Sequence, residues 1–265
     1  VGYVVDTIPA GRPQYFSALA PAVLYACGRG AAAGTPRVML HTARAVAGGA
    51  VAVPCSAHFG RSPGVGGSFA GPLHITAPAG FAMEGMSVSG ATIIDVGGFL
   101  LLRANTFAGL TTTNILEPAA AARAATSAAR AASLAFGSGA TVAANTFAAG
   151  MDMNLNANVQ GDCTFELSEN GGPHLDFAGS GSLGGSSVLR YRANPVAGLG
   201  IDTRLKASAL VSVEGHGSLN ALNTTLHMQD TPTLQVNNNV VAEAAVTLDG
   251  VGSATFRLES NNIQN

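Results

Sequence analysis

The chain has 265 residues, of which 47% are apolar and only 11% are charged, with a formal net charge of −2. Apolar content this high excludes a disordered chain, and the absence of a basic stripe argues against nucleic-acid binding. The charged fraction is far below the level of about 25% in typical globular domains. We therefore expect part of the surface to be covered by partner subunits.

The three cysteines, Cys27, Cys55 and Cys163, lie far apart and form no CxxC motif. Their odd number and wide spacing predict buried free thiols rather than a disulfide framework or a zinc site. The apolar stretch at 16–27 is too short to span a bilayer, so no membrane insertion is expected. A start at Val1 predicts a processed chain or a piece of a longer product.

The first half of the chain predicts an Ala- and Gly-rich mixed β domain over residues 1–150. Apolar runs at 93–96 and 99–102 flank a Gly-Gly pair and predict a hairpin. The segment 118–134 predicts a helix, because alanine has the highest helix propensity and Pro118 suits a first helical position. This Ala-rich helix would end the first domain.

Composition changes near residue 150. Of 48 alanines, 37 precede residue 151, whereas 13 of 16 asparagines follow it. The change predicts a boundary, with a repetitive antiparallel β domain over 151–265.

The second half shows the alternation of apolar and polar residues that is typical of strands with one buried face. Met153 to Gln160 alternate without exception, and similar runs begin near residues 205, 242 and 254. The residues predicted to form the core of this half are Leu155, Val159, Phe165, Leu167, Leu175, Phe177, Val211, Val213, Val246, Leu248, Phe256 and Leu258.

A turn segment recurs three times in this half, as LDFAGSGSLGG (175–185), VSVEGHGSLNA (211–221) and VTLDGVGSATF (246–256). Its first glycine recurs about every 36 residues, a period in the range of repeat proteins. The pattern predicts turns at Gly161, Gly179–Gly181, Gly215–Gly217 and Gly250–Gly252. Two mainly β architectures fit: an antiparallel meander or sandwich whose hairpin repeats about every 36 residues, or a β-solenoid with coils of about 18 residues. The long candidate strands favour the meander.

Two short segments match signatures of catalytic or binding sites. Residues 60–64 match G-x-S-x-G, but Pro63 follows the serine and has no N–H to donate to an oxyanion. Residues 179–184 match G-x-G-x-x-G, but the sequence that follows indicates a strand, not the helix that a dinucleotide site needs. The first segment is therefore interpreted as a loop and the second as a turn.

The ionisable residues also show no site pattern. The six histidines form no HxH or HExxH, the carboxylates form no DxD or close pair, and His216 is expected to be exposed in a tight turn. No catalytic, cofactor-binding or metal-ligating residue is predicted, and no cofactor is expected.

The segments FAGSGSL, VEGHGSL and LDGVGSA resemble a repeat of tail and fibre proteins of bacteriophages, over about residues 153–258. The resemblance implies a non-enzymatic virion protein of a tail fibre or baseplate. Its expected partners are further copies of itself (a trimer if it belongs to a fibre), other virion proteins, and a host surface glycan or receptor.

Two other functions stay open from the sequence. A bacterial cell-surface adhesin or surface-layer module would show the same C-terminal pattern. A polysaccharide-acting β-solenoid enzyme would need clustered carboxylates, and the 6% aromatic content without Trp argues against it.

Overall fold

The computed structural model describes residues 3–6, 13–28, 36–116, 139–159 and 162–264. The helix predicted at 118–134 and the turn predicted at Gly161 lie outside these ranges. The described chain is mainly β, as predicted, with a single helix, α1 (Leu19–Gly28). No helical segment among the described residues has the length and apolarity needed to cross a bilayer.

The strands of the described chain range from two to thirteen residues in length. In order they are β1 (Tyr3–Asp6), β2 (Gln14–Phe16), β3 (Arg37–Leu40), β4 (Val46–Ala52), β5 (Ala57–Arg61), β6 (Ser68–Ala77), β7 (Gly80–Glu84), β8 (Ser87–Val88), β9 (Thr92–Val96), β10 (Phe99–Arg103), β11 (Thr106–Phe107), β12 (Thr111–Ile115), β13 (Ala140–Ala143), β14 (Thr146–Phe147), β15 (Met151–Leu155), β16 (Asn158–Val159), β17 (Thr164–Ser168), β18 (Gly172–Ala178), β19 (Ser182–Leu183), β20 (Val188–Arg192), β21 (Val196–Leu205), β22 (Leu210–Glu214), β23 (Leu219–Asp230), β24 (Thr233–Asn237), β25 (Val240–Gly252), β26 (Thr255–Glu259) and β27 (Asn262–Ile263).

The chain winds as a parallel β-solenoid. Successive coils add one strand to each of two sheets, which we call sheet A (β3, β5, β7, β10, β13, β17, β20, β22, β24 and β26, after β1 and β2) and sheet B (β6, β9, β12, β15, β18, β21, β23 and β25, with the shorter strands). Neighbouring strands of the described chain pair in parallel, except at β1. The solenoid alternative is thus the correct one and the antiparallel meander is wrong. Both sheets run through residue 150 without interruption.

A coil is longer than the sequence pattern predicts. Phe165 pairs with Leu189, and Leu189 pairs with Val211 one coil further on. These pairs give a coil of about 23 residues, within the usual range for solenoid repeats. The interval between turn segments is therefore about one and a half coils. As a result the copy at Gly215 follows a strand of sheet A, whereas the copies at Gly179 and Gly250 lie in sheet B.

The predicted turns meet mixed outcomes. Gly179–Gly181 lies between β18 and β19, and Gly215–Gly217 lies between β22 and β23, as predicted. Gly250–Gly252 instead belongs to β25, where a Cβ on Gly250 would collide with the backbone of Met228 on the neighbouring strand. The predicted hairpin around Gly97-Gly98 is also wrong, because β9 belongs to sheet B and β10 to sheet A.

Inward side chains at paired positions of successive strands form columns along the interior, and each coil contributes one side chain to each column. Eight of the twelve predicted core residues are buried, from Leu155 to Val213 in chain order. The outward set is polar as expected, with Asn156 and Asn158 exposed. The other four residues, Val246, Leu248, Phe256 and Leu258, face inward in the same columns but remain partly or largely exposed.

A line of hydrogen-bonded side chains runs through one inner corner of the solenoid, and we call it the asparagine ladder (Asn105, Asn145, Asn170, Asn194, His216, Asn239 and Asn261). At each asparagine–asparagine step, the amide and the backbone N–H of one residue donate to the side-chain oxygen in the next coil, as Asn145 does to Asn170 at 2.9 and 3.1 Å. His216 stands where the other coils have asparagine, and it is fully buried rather than exposed as predicted.

The N-terminal end of the core is covered. Helix α1 buries Leu19, Ala22, Val23 and Ala26 against the first strands. A disulfide joins Cys27, at the end of this helix, to Cys55, between β4 and β5. The prediction of free thiols is therefore wrong for this pair, because the first coil brings together two cysteines that are distant in sequence. Cys163 is buried, as predicted.

Candidate functional site

The C-terminal end of the solenoid is open. Beyond β25 to β27 no described strand covers the last coil, and β26 is the outer edge of sheet A. Its inward side chains, which are buried in every earlier coil, reach solvent: Phe256 is 41% exposed, whereas its column neighbour Leu234 is fully buried. An apolar pocket of about 200 Å³ opens there, lined by residues that include Leu222, Val246, Phe256, Leu258 and Ile263.

The asparagine ladder ends at the same place. Asn261 accepts from the backbone and side chain of Asn239, each at 3.0 Å, and its amide donates to the carbonyl of Val236. In earlier coils, the backbone N–H of the ladder asparagine donates to a side-chain acceptor one coil further on. The open end therefore presents both an apolar core surface and backbone edges that suit a further strand.

The outer face of sheet B carries a second candidate, which we call the His–Asp cluster (Asp152, His174 and Asp176). Alternation turns Asp152 on β15 outward, and turns His174 and Asp176 outward on β18. Asp152 and Asp176 are directly paired across the two strands. One ligand atom from each of the three residues lies within 4.8 Å of the other two.

Contacts within the cluster fix two of its side chains. His174 Nε2 lies 3.3 Å from Asp152 Oδ1, and both side chains are about one third exposed. Burial raises the pKa of Asp176; nearby His174 lowers it, the Asp152 charge raises it, and a hydrogen bond from the backbone of Gly200 lowers it. Asp176 is therefore a carboxyl that is partly shielded from water beside a second carboxylate.

Two glycines make room for this arrangement. A Cβ on Gly150 would overlap the His174 ring, and a Cβ on Gly200 would overlap the Asp176 carboxylate. Gly150 also has a φ of +91°, a conformation that disfavours any other residue. The ring and the carboxylate thus rest directly on the backbone of adjoining coils.

Two further polar groups lie on the same face. His74 Nε2 contacts Asp95 at 2.6 Å, and Asp95 accepts from Asn114 at 2.7 Å. Near the open end, His227 Nε2 lies 4.0 Å from Asp202 Oδ1, and His227 Nδ1 lies 3.5 Å from Asp249 Oδ2. In that last group the carboxylates belong to β21 and β25, which flank β23, so the backbones that carry them are about 10 Å apart.

The carboxylates form no close pair in the sequence, but the fold brings those of Asp152 and Asp176 together. One full coil separates them along the chain, so a parallel winding places them side by side. The sequence predicts this pairing only if the coil length is known. The turn segments recur at a longer interval and therefore do not give that length.

The two rejected motifs occupy turns and corners. Ser62 hydrogen-bonds to His41 Nδ1 at 3.0 Å, but His41 is exposed and no described carboxylate forms an ion pair with it. The G-x-G-x-x-G segment at 179–184 leads into strand β20 and not into a helix. Neither arrangement completes the chemistry of its motif.

Comparison with known proteins gives no relative: the chain matches no protein-family model, no curated protein and no solved structure.

Proposed function

We propose that the chain is a non-enzymatic structural subunit that assembles with further copies of itself through its open C-terminal end. The observation that carries the proposal is the set of inward columns that stay uncovered in the last coil, as at Phe256 and Leu258. Exposed apolar area of this kind marks an interaction surface.

The occupant of the open end is a second copy. At the opposite end of the described chain, α1 covers the core and the Cys27–Cys55 disulfide anchors this helix, so we propose that only the C-terminal end presents uncovered core columns to a partner. Subunits with one such surface associate into a closed oligomer rather than a filament. The charged fraction of 11% supports the same conclusion, since a solitary subunit would need a more charged surface for solubility.

The setting we propose is a virion, with the chain in a tail fibre or baseplate. The turn segments at Gly179 and Gly215 resemble those of such proteins, and a disulfide is compatible with life outside a reducing cytosol. A cell-surface adhesin would be compatible with the same features. The gene neighbourhood separates the two, because genes for tail assembly would flank a virion protein.

The assembly proposal is tested by light scattering coupled to size-exclusion chromatography at about 10 µM, a concentration at which a submicromolar interface is saturated. We expect the wild-type chain to be oligomeric and the variant Phe256→Asp/Leu258→Asp to be monomeric. The matched control is Ile93→Asp/Leu110→Asp, which changes side chains that are 40% and 39% exposed away from the open end.

Circular dichroism must show that both variants keep their strand content. A monomeric wild-type chain would overturn the proposal. Equal dissociation of both variants would also overturn it, because the interface would then not lie at the open end.

The second candidate function is a polysaccharide-acting solenoid enzyme. It is favoured by the paired Asp152 and Asp176, since glycoside hydrolases use two carboxylates on either side of the scissile bond. Release of reducing ends from bacterial surface polysaccharide by the wild type, and its loss in Asp152→Asn, would establish this function in place of the structural one.

A further inference from the structure

We propose that Asp152, His174 and Asp176 bind a divalent transition-metal ion of the Zn²⁺ class, which bridges β15 and β18 on the outer face of sheet B. This is the only group of three such side chains with converging ligand atoms among the described residues. The proposal does not depend on the assembly function.

The pairing of the two carboxylates is the first argument. Asp152 and Asp176 stand directly opposite each other on neighbouring strands, and like charges in that position destabilise a sheet. A cation between them converts the repulsion into attraction. His174, two positions before Asp176 on the same face, supplies a third ligand to the same point.

Distances and chemistry select the class of ion. Tetrahedral Zn²⁺ with bonds of about 2.0–2.2 Å places its ligand atoms about 3.4 Å apart. The 3.3 Å between His174 Nε2 and Asp152 Oδ1 already matches this spacing. An imidazole nitrogen favours Zn²⁺ and its neighbours over Ca²⁺ and Mg²⁺, which prefer oxygen ligands.

The surroundings keep the ligands in place. The His174 ring rests on Gly150 and the Asp176 carboxylate rests on Gly200, so both side chains are positioned by backbone rather than by mobile neighbours. The cluster is about one third exposed at His174 and Asp152. Solvent can therefore supply the fourth ligand.

The group near the open end provides an internal comparison. Asp202, His227 and Asp249 have the same composition and lie on the same face, but their carboxylates are separated by an intervening strand. Their ligand atoms do not all lie within 4.8 Å of one another, unlike those of the His–Asp cluster. The proposal therefore predicts binding at one His–carboxylate group and none at the other.

The test is isothermal titration of the full chain, without an affinity tag and after chelator treatment, with ZnCl2. We expect one Zn²⁺ per chain for the wild type and a loss of affinity of at least tenfold in Asp152→Asn and in His174→Ala. The control Asp202→Asn/Asp249→Asn removes two carboxylates from the same face and should bind like the wild type.

Thermal unfolding in the presence of Zn²⁺ gives a second readout, since the metal should raise the melting temperature of the wild type and not of Asp152→Asn. Absence of stoichiometric binding overturns the proposal. Equal weakening in the control overturns it too, because the ion would then be held by general surface charge. Preference for Ca²⁺ over Zn²⁺ would overturn the assigned class of ion.

Discussion

Polar side chains inside an apolar core are tolerated only when their hydrogen bonds are complete. The asparagine ladder meets this condition by repetition, because each amide before Asn261 donates along the stack and to a backbone carbonyl. Asn170, for example, donates to the carbonyl of Val142 at 2.7 Å and to Asn194 at 3.1 Å, and accepts from Asn145. The ladder thereby fixes the register of one coil on the next.

Removal of one ladder residue should be costly. In Asn170→Ala the backbone N–H and the side-chain amide of buried Asn145 lose the oxygen that accepts from both of them. At about 1–3 kcal/mol for each unsatisfied group, we expect a loss of roughly 3 kcal/mol in the free energy of unfolding. Urea denaturation measures it, with Asn223→Ala on the exposed outer face as a control that should change stability by less than about 0.5 kcal/mol. Equal effects in the two variants would contradict the role of the ladder.

His216 gives the ladder a pH dependence. Its Nδ1 lies 2.9 Å from the Asn239 side-chain oxygen, so it carries the proton, and Nε2 accepts from the Asn194 amide at 3.4 Å. Burial lowers the pKa of His216 despite the opposing effects of Asn239 and Glu214. The folded state thus disfavours the charged ring, so the contribution is complete above the unfolded pKa of about 6.5 and is lost as the pH falls below it.

We expect the urea midpoint of the wild type to fall between pH 7.5 and pH 5, and to fall less in His216→Asn. Asparagine restores an amide at this rung and removes the titrating group. The pKa of His58 is also lowered, chiefly by burial, so some acid sensitivity should remain in the variant. Identical pH profiles for the two proteins would show that His216 does not contribute.

At the scale of elements, alternation predicted which face of each strand is buried but not which strand lies beside it. The reason is physical: a hairpin and a solenoid coil both need alternating side chains and glycine at tight corners. Leu175 and Phe177 are buried in either arrangement. Only the coil length distinguishes them, and it is visible in the spacing of the ladder residues from Asn170 to Asn194 to His216, not in the turn segments.

Helix α1 is held at the N-terminal end of the solenoid by a disulfide that the spacing of the cysteines in the sequence did not predict. The Cys27–Cys55 disulfide anchors α1 to the first coil across a sequence separation of 28. Closing a loop of this length lowers the conformational entropy of the unfolded chain, which stabilises the folded state by about 3–4 kcal/mol. We expect Cys27→Ser/Cys55→Ser to lose stability on that scale and to show faster amide exchange in Leu19–Gly28. Reductant should destabilise the wild type and leave the variant unchanged; a wild type insensitive to reductant would contradict this.

At the scale of the whole molecule, a solenoid is nearly one-dimensional, because each coil contacts only its neighbours. Interior coils are covered on both sides, whereas the last coil is covered on one. This difference explains why the four predicted core residues that failed are all in β25 and β26. The alternation in the sequence predicts that these four side chains point inward. Their burial depends on whether another layer is stacked on the last coil, and the alternation carries no information about that.

Two leucines in the same inward column test whether the burial of a core residue depends on its position along the solenoid. Leu167 is 1% exposed in the interior, whereas Leu258 is 51% exposed in the last coil. Both face the core along the line that joins β17 to β26 through parallel pairing. In an isolated chain, Leu167→Ala should cost about 2–5 kcal/mol, the usual range for a buried leucine, and Leu258→Ala should cost under about 1 kcal/mol.

In the assembled state, the cost of Leu258→Ala should be larger than in the isolated chain. If another copy covers the open end, Leu258 is buried there, so Leu258→Ala should weaken association while leaving the unfolding of the monomer almost unaffected. Urea denaturation at two protein concentrations separates the two effects, since only a contribution at the interface depends on concentration. A large loss for Leu258→Ala in the dilute monomer would mean that the last coil closes on itself, and the open end would then not be the assembly surface.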